Sequence, residues 1–88
     1  MQQLNKGDIL IDRRTLKRYP IIESEGGHVW LELNNRLVKR SMGQMTKYHR
    51  FFTVIRVGQK LDKDYAFYCP VTNRMIVLKA GTVFLGEV

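Results

Sequence analysis

Apolar and polar positions alternate most regularly through "RYPIIESEGGHVWLEL", residues 18–33, with only Gly26-Gly27 interrupting the pattern. A period of two predicts strands, and a Gly-Gly pair between them fits a two-residue hairpin whose central positions need positive φ. That register pairs Ser24 with Val29, Ile22 with Leu31 and Pro20 with Leu33 on a core face. Tyr19, Ile21, Glu23, Glu25, His28, Trp30 and Glu32 then fall on the other face, with Pro20 marking an edge or strand start. Upstream, "GDILID" predicts a first strand running into the polar loop "RRTLKR". Downstream, residues 34–36 read as a turn and Leu37-Val38 as a short strand. Ser41 stands three residues before Gln44, the spacing of a capping box, and predicts a helix over 42–51. Met42, Met45, Tyr48, His49 and Phe52 share one side of that helix, whereas Gly43, Lys47 and Arg50 share the other. "FFTVIRV" predicts a strand, and Gly58 begins a further turn.

The last third, "YAFYCPVTNRMIVLKAGTVFL", predicts a meander with loops at Thr72-Asn73 and Ala80-Gly81. One face would hold Phe67, Cys69, Ile76, Leu78, Val83 and Leu85. The other would hold Tyr68, Met75, Val77, Lys79 and Phe84, which is too apolar to meet water alone. The assembled expectation is a mainly β single domain over residues 1–88. It is a small antiparallel barrel or curled sheet, about residues 6–57, with one short helix near 42–51. A C-terminal β-meander, about 65–87, packs on it. The stretch "KGDILIDRRTLKRYPIIESEGGHVWLEL" resembles the opening of small Src-homology-3-like barrels, including those of nucleic-acid-associated proteins. The likeness lies in a Gly-Asp start, a strand, a polar loop and a glycine-turned hairpin. It departs from the pattern at Leu16, where such loops often carry Gly. It implies a fold, an SH3-like barrel, and no functional residue.

Chain length and residue types narrow the chemistry. No stretch reaches the roughly 20 apolar residues of a membrane span, and the N-terminus lacks the apolar core of a signal peptide, so a soluble cytoplasmic protein without a membrane partner is expected. A single cysteine excludes an internal disulfide, and with two histidines it gives too few ligands for a structural zinc site. No metal or cofactor is expected. His28 and His49 are separated by a turn and a helix, Cys69 has the alternating apolar neighbours of an inert thiol, and Asp62 and Asp64 define no acid-base site. Neither a phosphate-binding glycine loop nor a nucleophile elbow occurs. The chain reads as a non-enzyme.

Charge changes the picture more. The formal net charge is +7, and residues 36–60 hold Arg36, Lys39, Arg40, Lys47, Arg50, Arg56 and Lys60 with no Asp or Glu, so this stretch equals the whole excess. A block of one sign draws a polyanion or an acidic protein surface. These seven residues are the candidate contacts to DNA or RNA phosphates. Trp30, Tyr48, His49 and Phe51 are candidate groups for stacking on exposed bases. The bland alternative is a solvated basic face. A second cluster, Arg13, Arg14, Lys17 and Arg18, sits in a loop flanked by Asp8 and Asp12, where local ion pairing is the competing explanation. Trp30 is equally readable as covered core. The competing function is a protein-interaction or inhibitor module, docking through an exposed strand edge and the apolar C-terminal face of Tyr68, Met75, Val77 and Phe84. That same face would also suit a homodimer, so monomer and dimer both stay open.

Overall fold

The computed structural model describes residues 4–33, 36–69 and 72–86, and the side chains of these except Tyr48 and His49. Among the described residues there are seven strands, β1 (Ile9–Asp12), β2 (Arg18–Glu25), β3 (His28–Leu33), β4 (Arg36–Ser41), β5 (Phe52–Ile55), β6 (Tyr65–Cys69) and β7 (Arg74–Leu78), and one α-helix, α1 (Met42–Tyr48). A 3-10 turn, His49–Phe51, follows the helix directly, so the expected helix over 42–51 changes geometry after Tyr48. The fold is mainly β and wholly antiparallel within its sheets. Five strands form one sheet in the order β4-β3-β2-β1-β5, and β6-β7 form a separate hairpin. The outer strands β4 and β5 do not pair, so the larger sheet stays open and no closed barrel forms. No helix among the described residues is long and apolar enough to cross a membrane.

The helix begins as its sequence predicts. Ser41 N donates to Gln44 Oε1 at 3.0 Å and Gln44 N donates to Ser41 Oγ at 3.1 Å, a reciprocal pair that satisfies two otherwise open amides. Met42 N donates to Gly27 O, which fixes the helix start against the β2–β3 turn. Met45 is buried, and with Met42 it covers one face of the sheet. That face also contributes Leu10, Ile21, Val29 and Leu31, with Leu4 closing one end and the Tyr19 and Phe52 rings meeting edge to face at 6.0 Å.

A second core lies on the other face. Ile9, Ile11 and Ile55 pack there against Leu61, Phe67 and Phe84, with Tyr65, Ile76 and Leu78 of the hairpin at its border. β1 therefore feeds both cores, sending Leu10 to the helix side and Ile9 and Ile11 to the hairpin side, as the period of a strand requires. Ile9, Leu10 and Ile11 are apolar in succession because both sides are covered.

The β2–β3 register differs from the expectation by one residue. Near the turn it is as read, with Glu25 opposite His28 and Ser24 opposite Val29, and both glycines take positive φ. Farther on, Ile21 rather than Ile22 faces Leu31, and a β-bulge intervenes. The cause is a conflict between two anchors. The glycine turn sets the register at one end. At the other, Ile21 N donates to Asp8 O and Ile21 O accepts from Gly7 N, tying Ile21 to the chain entering β1. The surplus residue is displaced at Ile22, and a slip of one exchanges faces. Ile21 is accordingly 2% exposed and Ile22 40%.

The meander also stops short. Asn73, at φ 55°, turns β6 into β7, but residues after Leu78 do not return along β7 as a third strand. They pair with the segment after β5 instead: Leu61 N donates to Thr82 O, Gly81 N to Leu61 O, Gly58 N to Phe84 O and Phe84 N to Gln59 O. Backbone groups of residues 58–61 take their partners here, and that choice inverts the expected faces. Phe84, expected in an exposed interface, is 4% exposed in the second core, while Val83 and Leu85 point out to solvent. The turn expected at 34–36 lies largely outside the described residues.

Candidate functional site

The cationic stretch does not form one face. β4 is an edge strand, and its side chains alternate between the two sides of the sheet. Arg36, Val38 and Arg40 stand opposite Leu33, Leu31 and Val29, so they lie on the helix side. Leu37 and Lys39 stand opposite Glu32 and Trp30 on the reverse side. Lys39 Nζ lies 5.4 Å from the Trp30 ring centroid, and the half-buried Trp30 belongs to neither core. Arg56 leaves the group altogether: its Nη1 lies 3.5 Å from Oδ2 of the buried Asp8. β5 separates Arg56 from Phe52 by about 13 Å, and Lys60 lies beyond it, so both sit away from the mouth of the sheet where Phe52 meets Asp12. Lys47 is exposed in the last turn of α1. The Tyr48 and His49 side chains, expected as stacking groups, lie outside the described set.

What the fold does gather is a cleft. It opens between the helix side of β3-β4, the 3-10 turn and the β1–β2 loop, and has a volume of about 480 Å³. Leu31, Leu33, Met45 and Phe52 supply an apolar floor, Phe51 a half-exposed aromatic wall, and Arg14, Arg40 and Asp12 the polar border. Arg36 lies on the same face of β4 as Arg40, opposite the cleft residue Leu33. The Arg50 guanidinium carbon is 5.3 Å from the Phe51 ring centroid.

The loop "RRTLKR" reaches this place through hydrogen bonds of Arg13. Arg13 N donates to Phe51 O, its Nη1 to Arg50 O at 2.6 Å and its Nε to Thr53 Oγ1 at 3.4 Å, so Arg13 fastens the loop to the 3-10 turn and β5. Asp12 Oδ1 accepts from Arg14 N at 2.8 Å and Thr15 N at 3.3 Å, which folds the loop back and leaves the Arg14 side chain exposed. Burial, and after it the Asp12 carboxylate, raise the Tyr19 hydroxyl above its usual pKa. Leu16 takes the left-handed φ of 63°. Its side chain packs on the second core and its carbonyl accepts Tyr68 N, which fixes the loop to the hairpin.

Arg14 belongs to the site although the charge count did not single it out. Over residues 1–35 five basic and five acidic side chains cancel, which hides the loop in the count. In space Asp8 faces Arg56 and Asp12 is engaged by backbone amides. Arg18 is different again: buried on the hairpin side of β2, it places Nη2 at 3.5 Å from the buried Cys69 Sγ.

Elsewhere the outer face of the hairpin exposes Tyr68, Met75 and Val77, with Tyr68 and Met75 directly opposite each other. Tyr65 Oη donates to Asp62 Oδ1 at 2.8 Å, and that hydrogen bond holds the Asp62 carboxyl below its usual pKa. Asp64 is lowered as well, first by the amide of Ala80, and it links the entry to β6 with the turn after β7. His28 Nδ1 lies 3.1 Å from Gly26 O in the β2–β3 turn, far in sequence from any acid or nucleophile of the cleft. Among the described residues no group of three or more His, Cys, Asp or Glu is placed to hold a metal ion. No family model matches the chain, and no curated protein or solved structure matches it either.

Proposed function

We propose that the protein is a small non-catalytic nucleic-acid-binding module whose contact surface is the cleft and its arginine border. The observation that carries this reading is the meeting of Arg14 and Arg40 at one cleft, with Arg50 beside its wall and Arg36 on the same strand face. Guanidinium groups suit phosphate because their planar donors can bind two oxygens at once. The only carboxylate in the border is Asp12, already occupied by two amides. The five antiparallel strands of residues 9–55 support kinship with SH3-like barrels, and a cytoplasmic setting accompanies the reading.

Fluorescence anisotropy with labelled single-stranded and duplex DNA and RNA, titrated across salt, tests it. Neutralising about four phosphates gives a log–log salt slope near −2.8 on single strands and near −3.6 on B-form duplex. Arg14→Glu with Arg40→Glu lowers affinity at least about tenfold, whereas Lys39→Glu, on the reverse side of the sheet, changes it far less. Binding that vanishes by about 0.1 M salt on every form would reduce the arginines to a solvated border.

A second reading rests on the hairpin. Tyr68, Met75 and Val77 expose apolar surface on one face, which suits docking to another protein or a second copy of the chain. Met75→Asp with Val77→Asp would abolish such docking and leave the cleft intact, the reverse of the arginine pair.

A further inference from the structure

We infer that the cleft seats one unstacked base of a single-stranded nucleic acid, with the flanking phosphates held by Arg14 and Arg40 at its border. This deepens the nucleic-acid reading above and rests on it. A site for phosphate alone needs donors and water, and an apolar floor contributes nothing to it. Leu31, Leu33, Met45 and Phe52 gain from contact only if the ligand brings an apolar body that leaves water with them. The volume of about 480 Å³ falls within the range of small-molecule sites, roughly 300–1,000 Å³.

Phe51 supplies the geometry for a base. It is 49% exposed and lines the cleft together with the buried Met45 and Leu31, so aromatic surface is available there for contact. Stacking on such a ring tolerates any base, and a neighbouring guanidinium strengthens it. The Arg50 cation lies next to this ring. Orientation follows from charge. Leu31, Leu33, Met45 and Phe52 cannot solvate a phosphate, so the uncharged base enters and the phosphates remain at the border with the arginines. In a duplex both faces of every base are already stacked, and none can enter without unpairing. The cleft therefore favours single strands.

The test compares three probes on the wild-type protein at near-physiological salt: a labelled single strand, an abasic strand of equal length, and a duplex. The expected result is affinity for the base-bearing strand about tenfold above that for the abasic strand, with the duplex weaker than the base-bearing strand. Phe51→Ala and the bulkier Phe51→Leu both remove this difference, with thermal melting to confirm that each variant folds. Equal affinity for base-bearing and abasic strands overturns the base seat while leaving phosphate binding in place, and so does a duplex that binds as tightly as the single strand. Loss of all binding by about 0.1 M salt overturns both the seat and the reading beneath it. The wild-type comparison decides even if a Phe51 variant fails to fold.

Discussion

Asp8 is 1% exposed and accepts two backbone amides, the nearby Asn5 N at 2.9 Å and the distant Val57 N at 3.0 Å, while facing Arg56. Its neighbour Gly7 takes φ 91°, and a Cβ there would lie 2.8 Å from Val57 Cγ2, so both residues of the Gly-Asp pair are specified by contact with the segment after β5. Replacing Asp8 with Ala leaves two amides and a partly buried guanidinium without this acceptor. The expected cost is about 3 kcal/mol, a fall in Tm of roughly 10–20 °C, measured by thermal denaturation; Asp8→Asn, which keeps one acceptor oxygen, falls less. The Gly-Asp pair was visible in the sequence, but its purpose was not. Its partner is 49 residues away in the chain, and no local pattern marks that distance. Arg56 illustrates the same limit: its charge is legible, while the carboxylate it meets is decided by the fold.

Elements whose causes are local were legible, and those set by two distant anchors were not. The helix start follows from Ser41 and Gln44 alone, and the β2–β3 turn from two glycines. The bulge at Ile22 needs knowledge of where β1 holds Ile21, and the course of residues 79–86 needs knowledge of where the segment 58–61 lies. The capping box offers a direct measurement. Ser41→Ala and Gln44→Ala are each expected to cost about 1 kcal/mol, a fall in Tm of roughly 4–8 °C apiece. The double variant is expected to lose less than the sum, because either change breaks the same reciprocal pair. Since α1 carries Met45 into the cleft floor, fraying at this end also loosens the proposed base seat.

At the scale of the molecule, β1 divides the interior into two cores, the helix and cleft on one side and the hairpin on the other. Surface variants on the hairpin and on the cleft border are thus separated by a packed strand and should act independently. Net charge was legible as a total, but its distribution over two sides of β4 was not, because strand alternation sends Lys39 and Arg40 in opposite directions. The outer side of β4 has a further consequence. With no strand beyond it among the described residues, it offers a row of backbone donors and acceptors to any passing chain. Arg36, Lys39 and Arg40 are then also its guards against self-assembly, since two copies approaching edge to edge would bring six like charges together. Neutralising all three with Gln would remove that repulsion, and static light scattering should show growing oligomers at concentrations where the parent chain stays dispersed. A lineage could therefore lose the cations of this strand only by finding another way to keep its molecules apart.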